Sequence, residues 1–280
     1  MDNGRHIYEY DIDPTSNTAP ANVIRLVGEN KRVLEVGCGP GSITKILTRK
    51  NRCRVTGFEI DLAAIEKVRP YCEAVLQVDL NMKDWQRQLD GVDRFDVVVA
   101  ADVLEHLYDP WLVLKQIASL INENGYLVIS LPHVGHAAII SCLLNGDFEY
   151  RDWGLLDRTH IRFFGLRNVE ALFAQADLKI VEAKYVMTPP EETEFAESWA
   201  RLPVQTRDVL KSCPHADVYQ VVVKAVPFDR GGAAVPLIPP SVRRSSVSPV
   251  ASLKALLGRH LSPRFKDMIR SGFGRLGIRF

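Results

Sequence analysis

The 280-residue chain has no Cys-x-x-Cys pair, and its five cysteines, Cys38, Cys53, Cys72, Cys142 and Cys213, are scattered and odd in number. That spacing excludes a disulfide framework or a thiolate zinc site as the basis of the fold and fits a reducing compartment. An apolar N-terminal core is also missing, because Met1 to Asp13 is polar and acidic, and no run reaches about 18 uninterrupted apolar residues. A cytoplasmic protein is expected, neither secreted nor membrane-spanning. Internal repeats are absent, and so is an overall excess of one charge: 35 Lys+Arg stand against 34 Asp+Glu. No nucleic-acid partner held mainly through phosphates is expected from that balance.

What is present is a 46% hydrophobic composition, enough for a core without staples, and a charge asymmetry along the chain. Residues 231 to 280 hold nine Lys+Arg and one acid, Asp267, so an acidic body precedes a basic end. Short β-branched runs alternate with helix-period segments, the pattern of a mostly parallel sheet with crossover helices. Strands are predicted at Arg32 to Val36, Arg52 to Phe58, Ala74 to Val78, Phe95 to Ala100, Tyr126 to Leu131, Lys179 to Val186 and Asp217 to Val226. Helices are predicted at Gly41 to Thr48, Leu62 to Val68, Pro110 to Leu120 and Asn168 to Gln175, with an acidic Trp-bearing helical segment before the last strand. The reading is an α/β, Rossmann-like seven-stranded domain over residues 1–228, with helices on both faces of the sheet. A Gly/Pro/Ser-rich linker at 229–250 and a basic amphipathic helical tail at 251–280 follow it. The tail carries Leu253, Leu256 and Leu257, then Phe265, Met268, Ile269 and Phe273, each set at helical spacing among Arg and Lys. It suits either docking on the acidic body or peripheral contact with a membrane or partner.

The segment Glu35-Val36-Gly37-Cys38-Gly39-Pro40-Gly41 places three glycines at alternate positions between a strand and a helix. Such a turn brings backbone N–H groups close to a ligand and taken alone would also suit NAD. Two details oppose NAD: Ser42 stands where the dinucleotide pattern needs glycine, and Glu35 places a carboxylate near the pyrophosphate position. S-adenosylmethionine carries an ammonium and a sulfonium, which an acid favours. Glu59, at the end of the second strand, is assigned to a ribose diol, Asp61 to the N-cap of the next helix, and Asp79 is a third acid at the same sheet edge.

In this order the motifs resemble those of class I S-adenosylmethionine-dependent methyltransferases, from about Arg32 to Val226. The resemblance implies that the loop Glu35 to Gly41 wraps the methionine end of the cofactor. It further implies that Glu59 binds ribose, that Asp79 faces the adenine amino group, and that Ile60 and Leu80 neighbour the adenine. Phe95 to Leu107 resembles the family's fourth motif, beside the methyl group. Within it Asp96 reads as structural, and Asp102 either contacts the cofactor or caps the next helix. S-adenosylhomocysteine would be the product.

The loop Asp157 to Phe164, with Leu131-Pro132-His133, resembles a subgroup associated with bacterial polysaccharide and glycan assembly, implying a sugar, glycolipid or related small-molecule hydroxyl as acceptor. His160 is the first candidate for general base, His106 the second and His133 the third. His133-x-x-His136 lacks a supporting carboxylate or Cys cluster, so no metal is expected. Arg151, Arg158 and Arg162 are candidates for an acceptor phosphate, and Trp153 and Phe163 have the shape to stack on a sugar or to fill a lid core. The competing readings are an NAD-type oxidoreductase and a non-catalytic cofactor-binding scaffold.

Overall fold

The computed structural model describes residues 8–89 and 93–238. The predicted tail, 251–280, lies outside the described residues, as does most of the predicted linker. In chain order the elements are α1 (Ala19–Val27), β1 (Arg32–Val36), α2 (Ser42–Arg49), β2 (Arg54–Glu59), α3 (Leu62–Val68), β3 (Ala74–Gln77), β4 (Phe95–Ala101) and α4 (Pro110–Ala118). They continue with β5 (Ile121–Pro132), α5 (Ala137–Leu144), α6 (Leu166–Gln175), β6 (Leu178–Met187), α7 (Ala196–Arg201), α8 (Val204–Lys211) and β7 (Val218–Pro227).

The strands form one seven-stranded sheet in the order β3-β2-β1-β4-β5-β7-β6. Strands β1 to β5 are parallel, whereas β7 runs antiparallel to both β5 and β6. Winding reverses between β1 and β4, so the carboxyl ends of these neighbours open a crevice, the place where open α/β sheets bind ligands.

The sheet is held by β-branched residues that suit a surface buried on both faces. Val33, Val55, Val97, Val99, Val128 and Val222 form one cluster with Val23, Ile24 and Val27 of α1 and Ile43 and Leu47 of α2. Each such side chain contributes roughly 1.5 to 3 kcal/mol by leaving water. A second cluster, Ala138, Ile139, Cys142, Leu155, Leu156 and Phe195, anchors the long loop after α5.

The Gly/Pro stretch joins the folded unit further than its composition suggested, and the expected boundary at residue 228 moves accordingly. Leu237 is fully buried, its N–H donates to Glu170 Oε1 at 2.7 Å, and its carbonyl accepts from the Tyr185 hydroxyl at 2.7 Å. The compact unit accordingly runs on to Leu237. Among the described residues no helix is long and apolar enough to cross a membrane.

Candidate active site

The loop after β1 turns through three glycines in the left-handed region, Gly37, Gly39 and Gly41, with φ of 66°, 53° and 91°. At Gly39 an added Cβ would meet nothing within 4 Å, so the backbone there faces open cavity and a ligand can approach it closely. Gly39 N–H donates to Glu59 Oε2 at 2.7 Å, and Glu59 Oε1 accepts from the N–H groups of Ile60 and Asp61 at 2.8 and 3.0 Å. The acid that ends β2 is thereby pinned against the loop that ends β1. Asp61 caps α3, accepting from Ala63 N–H at 2.9 Å.

These groups line a cavity of about 650 Å³ at the carboxyl edge of the sheet. Glu35, Gly37, Cys38, Gly39, Glu59, Ile60, Asp79, Leu80 and Asp102 all border it. Gly41 does not; a Cβ there would lie 2.8 Å from Val68 Cγ2, so this glycine permits the turn before α2 to approach Val68 at the end of α3. Glu35 is buried and accepts from Thr44 Oγ1 at 2.7 Å. Burial, followed by the charge on Glu59, pushes its carboxyl up to about 8. Asp79 Oδ1 accepts from Asn81 N–H at 2.9 Å, which fixes the turn after β3. Burial also pushes the Cys38 thiol up, so it is present as a neutral apolar group.

Among the described residues bordering the cavity there is no lysine or arginine. The wall combines backbone N–H donors with the acidic side chains Glu35, Glu59, Asp79 and Asp102 and no fixed cation, which opposes a pyrophosphate and suits a ligand bearing a cationic end.

Asp102 follows β4 with φ of 54°, a left-handed conformation that costs a non-glycine residue on the order of 1 to 3 kcal/mol. Its Oδ1 accepts from the Ser130 hydroxyl at 2.7 Å and its Oδ2 from Gln220 Nε2 at 3.0 Å. Of the two roles expected for it, capping the next helix is therefore not what the structure shows. Asp96 is structural, accepting from Arg32 N–H at 2.8 Å.

Two of the three candidate histidines meet. His106 and His160 pack edge to face with ring centres 4.7 Å apart. His160 is nearly buried, with Nδ1 3.3 Å from the Leu155 carbonyl and Nε2 4.0 Å from Glu105 Oε1. Burial, reinforced by His106, lowers its imidazole to about 4, so it is neutral at ordinary pH. His106 Nδ1 lies 3.2 Å from the Thr159 carbonyl. Glu105 is completely buried, and neither carboxylate oxygen has a hydrogen-bond partner. Burial, and then the neighbouring Asp102, raise its carboxyl well above the usual range. Its carbonyl accepts from the N–H groups of both Ile161 and Arg162 at 3.0 Å, tying the long loop to the turn after β4. Glu105 was not singled out from the sequence; its one signal is an acid inside the apolar run Val103 to Leu107.

His133 is corrected as a candidate base, since it does not border the cavity. His136 caps α5 by accepting from Ala138 N–H and bonds the Thr188 carbonyl through Nε2, which leaves no pair of lone pairs for a metal. The three arginines are corrected as well. Arg151 pairs with Glu149, Arg158 with Asp152, and Arg162 donates to the Tyr108 carbonyl and lies over Trp111. Trp153 is exposed at the cavity wall, whereas Phe163 packs into the lid core.

A family model described as a methyltransferase domain matches residues 10–183. A ubiquinone biosynthesis O-methyltransferase from Coxiella burnetii is 27% identical over 123 residues, 44% of this chain and 52% of that protein. The chain thus spans about half the length of the curated relatives it matches. The structure of the [4+2]-cyclase SpnF superposes with a TM-score of 0.52 at 16% identity, over 80% of this chain and 89% of that one. Magnesium protoporphyrin IX methyltransferase from Synechocystis PCC 6803, with bound S-adenosylhomocysteine, gives 0.51 at 14%, over 78% and 90%. At those identities the two structures show the fold alone. The family model covers well over half of the sequence, and this chain belongs to the methyltransferase-domain family, on the class I S-adenosylmethionine-dependent fold.

Proposed function

We propose that the chain transfers a methyl group from S-adenosylmethionine to a hydroxyl oxygen of a small acceptor of the sugar or glycolipid class. The observation that carries this reading is the carboxylate-lined, Lys- and Arg-free cavity in which Glu59 is held against the glycine loop. O-direction is supported by the name of the Coxiella relative. Among the described residues no lysine or arginine lies on the wall, which disfavours an acceptor whose phosphate enters the cavity, and Trp153 is left to stack on a sugar ring.

When bound, S-adenosylmethionine supplies a methyl carbon made electrophilic by its sulfonium. Gly37, Cys38 and Gly39 would pass the backbone along its methionine end, with Glu35, protonated in the unliganded fold, accepting from Thr44 to fix the turn behind that loop. Glu59 would accept from ribose hydroxyls, Asp79 from the adenine amino group, and Ile60 and Leu80 would supply the apolar faces. Asp102, fixed by Ser130 and Gln220, would hold the wall between cofactor and acceptor. The neutral His160 is placed to take the acceptor's hydroxyl proton at Nε2 as the new O–C bond forms and the S–C electron pair returns to sulfur. His106 is the alternative base.

Stabilisation by S-adenosylhomocysteine but not by NAD would separate this reading from an oxidoreductase. Transfer of a labelled methyl group to a panel of sugars, glycolipids and small phenols would separate it from a scaffold and from a non-transferase chemistry on the same fold. His160→Ala is expected to lower the transfer rate by roughly 10²- to 10⁴-fold with cofactor affinity nearly unchanged. Near-normal turnover would remove His160, and the same loss in His106→Ala alone would hand the role to His106.

A further inference from the structure

Glu105, His106 and His160 each offer a ligand atom within 4.8 Å of the others, the one such grouping of three or more among the described residues. Nδ1 of each imidazole faces a backbone carbonyl, 3.3 Å from Leu155 for His160 and 3.2 Å from Thr159 for His106, whose Nδ1 also lies 3.1 Å from Thr159 Oγ1. With Nδ1 donating, Nε2 of each ring is left carrying the lone pair, and that of His160 lies 4.0 Å from Glu105 Oε1. It is the arrangement by which metal-binding histidines are oriented, the second ring nitrogen donating to a carbonyl.

Glu105 supplies an independent observation. A side chain with no exposure and no partner on either oxygen forfeits on the order of 1 to 3 kcal/mol or more, so it calls for a physical explanation. His160 does not provide one, because its Nε2 is 4.0 Å away, beyond hydrogen-bond reach. A cation between the three groups would.

We infer that Glu105, His106 and His160 form a binding site for one divalent transition-metal ion of the zinc type, with its open position facing the cavity. Two imidazoles favour Zn²⁺ over Mg²⁺, which prefers oxygen ligands. In a tetrahedral site with bonds of about 2.0 to 2.2 Å, ligand atoms lie roughly 3.3 to 3.6 Å apart. Side-chain rotation that draws in the present spacing, at most 4.8 Å, would reach that value. All three residues border the cavity, so the fourth position is open to a hydroxyl, as in zinc sites with two His and one Glu. The inference deepens the methyl-transfer reading and rests on it for its use. An ion here would lower the pKa of an acceptor hydroxyl, whose proton would pass to solvent, and His106 and His160 would then hold the ion in place of the base role proposed above.

The test uses the full chain, freed of metal by chelation and titrated with Zn²⁺ by calorimetry, with bound ion counted by elemental analysis and Co²⁺ as a spectroscopic probe. One Zn²⁺ per chain, a Co²⁺ spectrum of low coordination number, and at least about a tenfold loss of affinity in Glu105→Gln and in His106→Ala are expected. His106→Ala alters a half-buried side chain and keeps the experiment decisive if the buried Glu105→Gln variant does not fold. The inference is overturned if the wild-type chain takes up no stoichiometric Zn²⁺, or if both variants bind it as tightly as wild type. Binding of S-adenosylhomocysteine is measured in parallel: its absence beside intact Zn²⁺ binding would sink the methyl-transfer reading and leave the metal site standing.

Discussion

Glu59 has about four lone-pair directions on its two oxygens, and three are occupied by the N–H groups of Gly39, Ile60 and Asp61. On the proposed reading a ribose diol would find one acceptor direction free on Oε2, beside the three that shape the loop. With charge-assisted hydrogen bonds contributing about 1.5 to 3 kcal/mol each, Glu59→Ala should weaken S-adenosylhomocysteine at least about tenfold by calorimetry. Unchanged affinity in a folded variant would end the ribose assignment. Glu35 gives a pH prediction. Its carboxyl stands at about 8 in the fold against an ordinary 4.5, so between those values the folded chain keeps a proton that the unfolded chain releases. Its stabilising contribution is complete below pH 4.5 and is lost as pH rises through 8. The Tm should fall across that window, and Glu35→Gln, which still offers Thr44 Oγ1 an acceptor, should flatten the fall. Parallel Tm profiles for the two proteins would show that this group does not set the slope.

At the scale of elements, the turn from β1 into α2 depends on Gly41, which has φ of 91° and lies against Val68 of α3. Gly41→Ala should cost roughly 1 to 3 kcal/mol and lower the Tm, with S-adenosylhomocysteine affinity of the folded protein little changed. The reverse pattern, an unaltered Tm with binding lost, would make Gly41 a ligand contact after all. The strands were legible because short β-branched runs mark a sheet buried on both faces; β1 and α3 coincide with their predicted bounds. β5 begins five residues earlier than Tyr126, because Asn122, Glu123 and Asn124 interrupt the apolar pattern while Ile121 still pairs with Phe95. α5 was missed because Ala137 to Leu144 is apolar on nearly every side and shows no stripe. α1 was missed where Pro20 and Asn22 break its pattern, although Pro is tolerated in a first turn. The acids Glu35, Glu59 and Asp79 were readable as a group because a parallel sheet brings its strand ends to one edge. The approach of His160 to Glu105 was not, since it joins residues 55 apart through the fold of a loop. The arginines misled for a related reason: each finds its partner within that loop or the adjoining turn.

For the whole molecule the unresolved balance is between an acidic body and a basic end. All nine Lys+Arg beyond residue 230 fall after Leu237, which packs into the folded unit. A truncation that tests the tail must therefore retain Leu237 and remove residues 239–280, because a cut at 230 would lose Tm simply by deleting a buried anchor. Each Lys or Arg near an anionic lipid surface contributes on the order of 1 kcal/mol, and that attraction weakens as salt screens it. The apolar residues Leu253, Leu256 and Leu257, and Phe265, Met268, Ile269 and Phe273, add area at helical spacing. Full-length protein is expected to sediment with anionic vesicles at low salt and to be released at high salt, while the truncated chain stays in solution under both conditions. If the full-length protein ignores the vesicles at low salt, the same charges are left with the acidic body as partner. Truncation should then lower the Tm, and the acceptor would be a soluble molecule that reaches the cavity from bulk water.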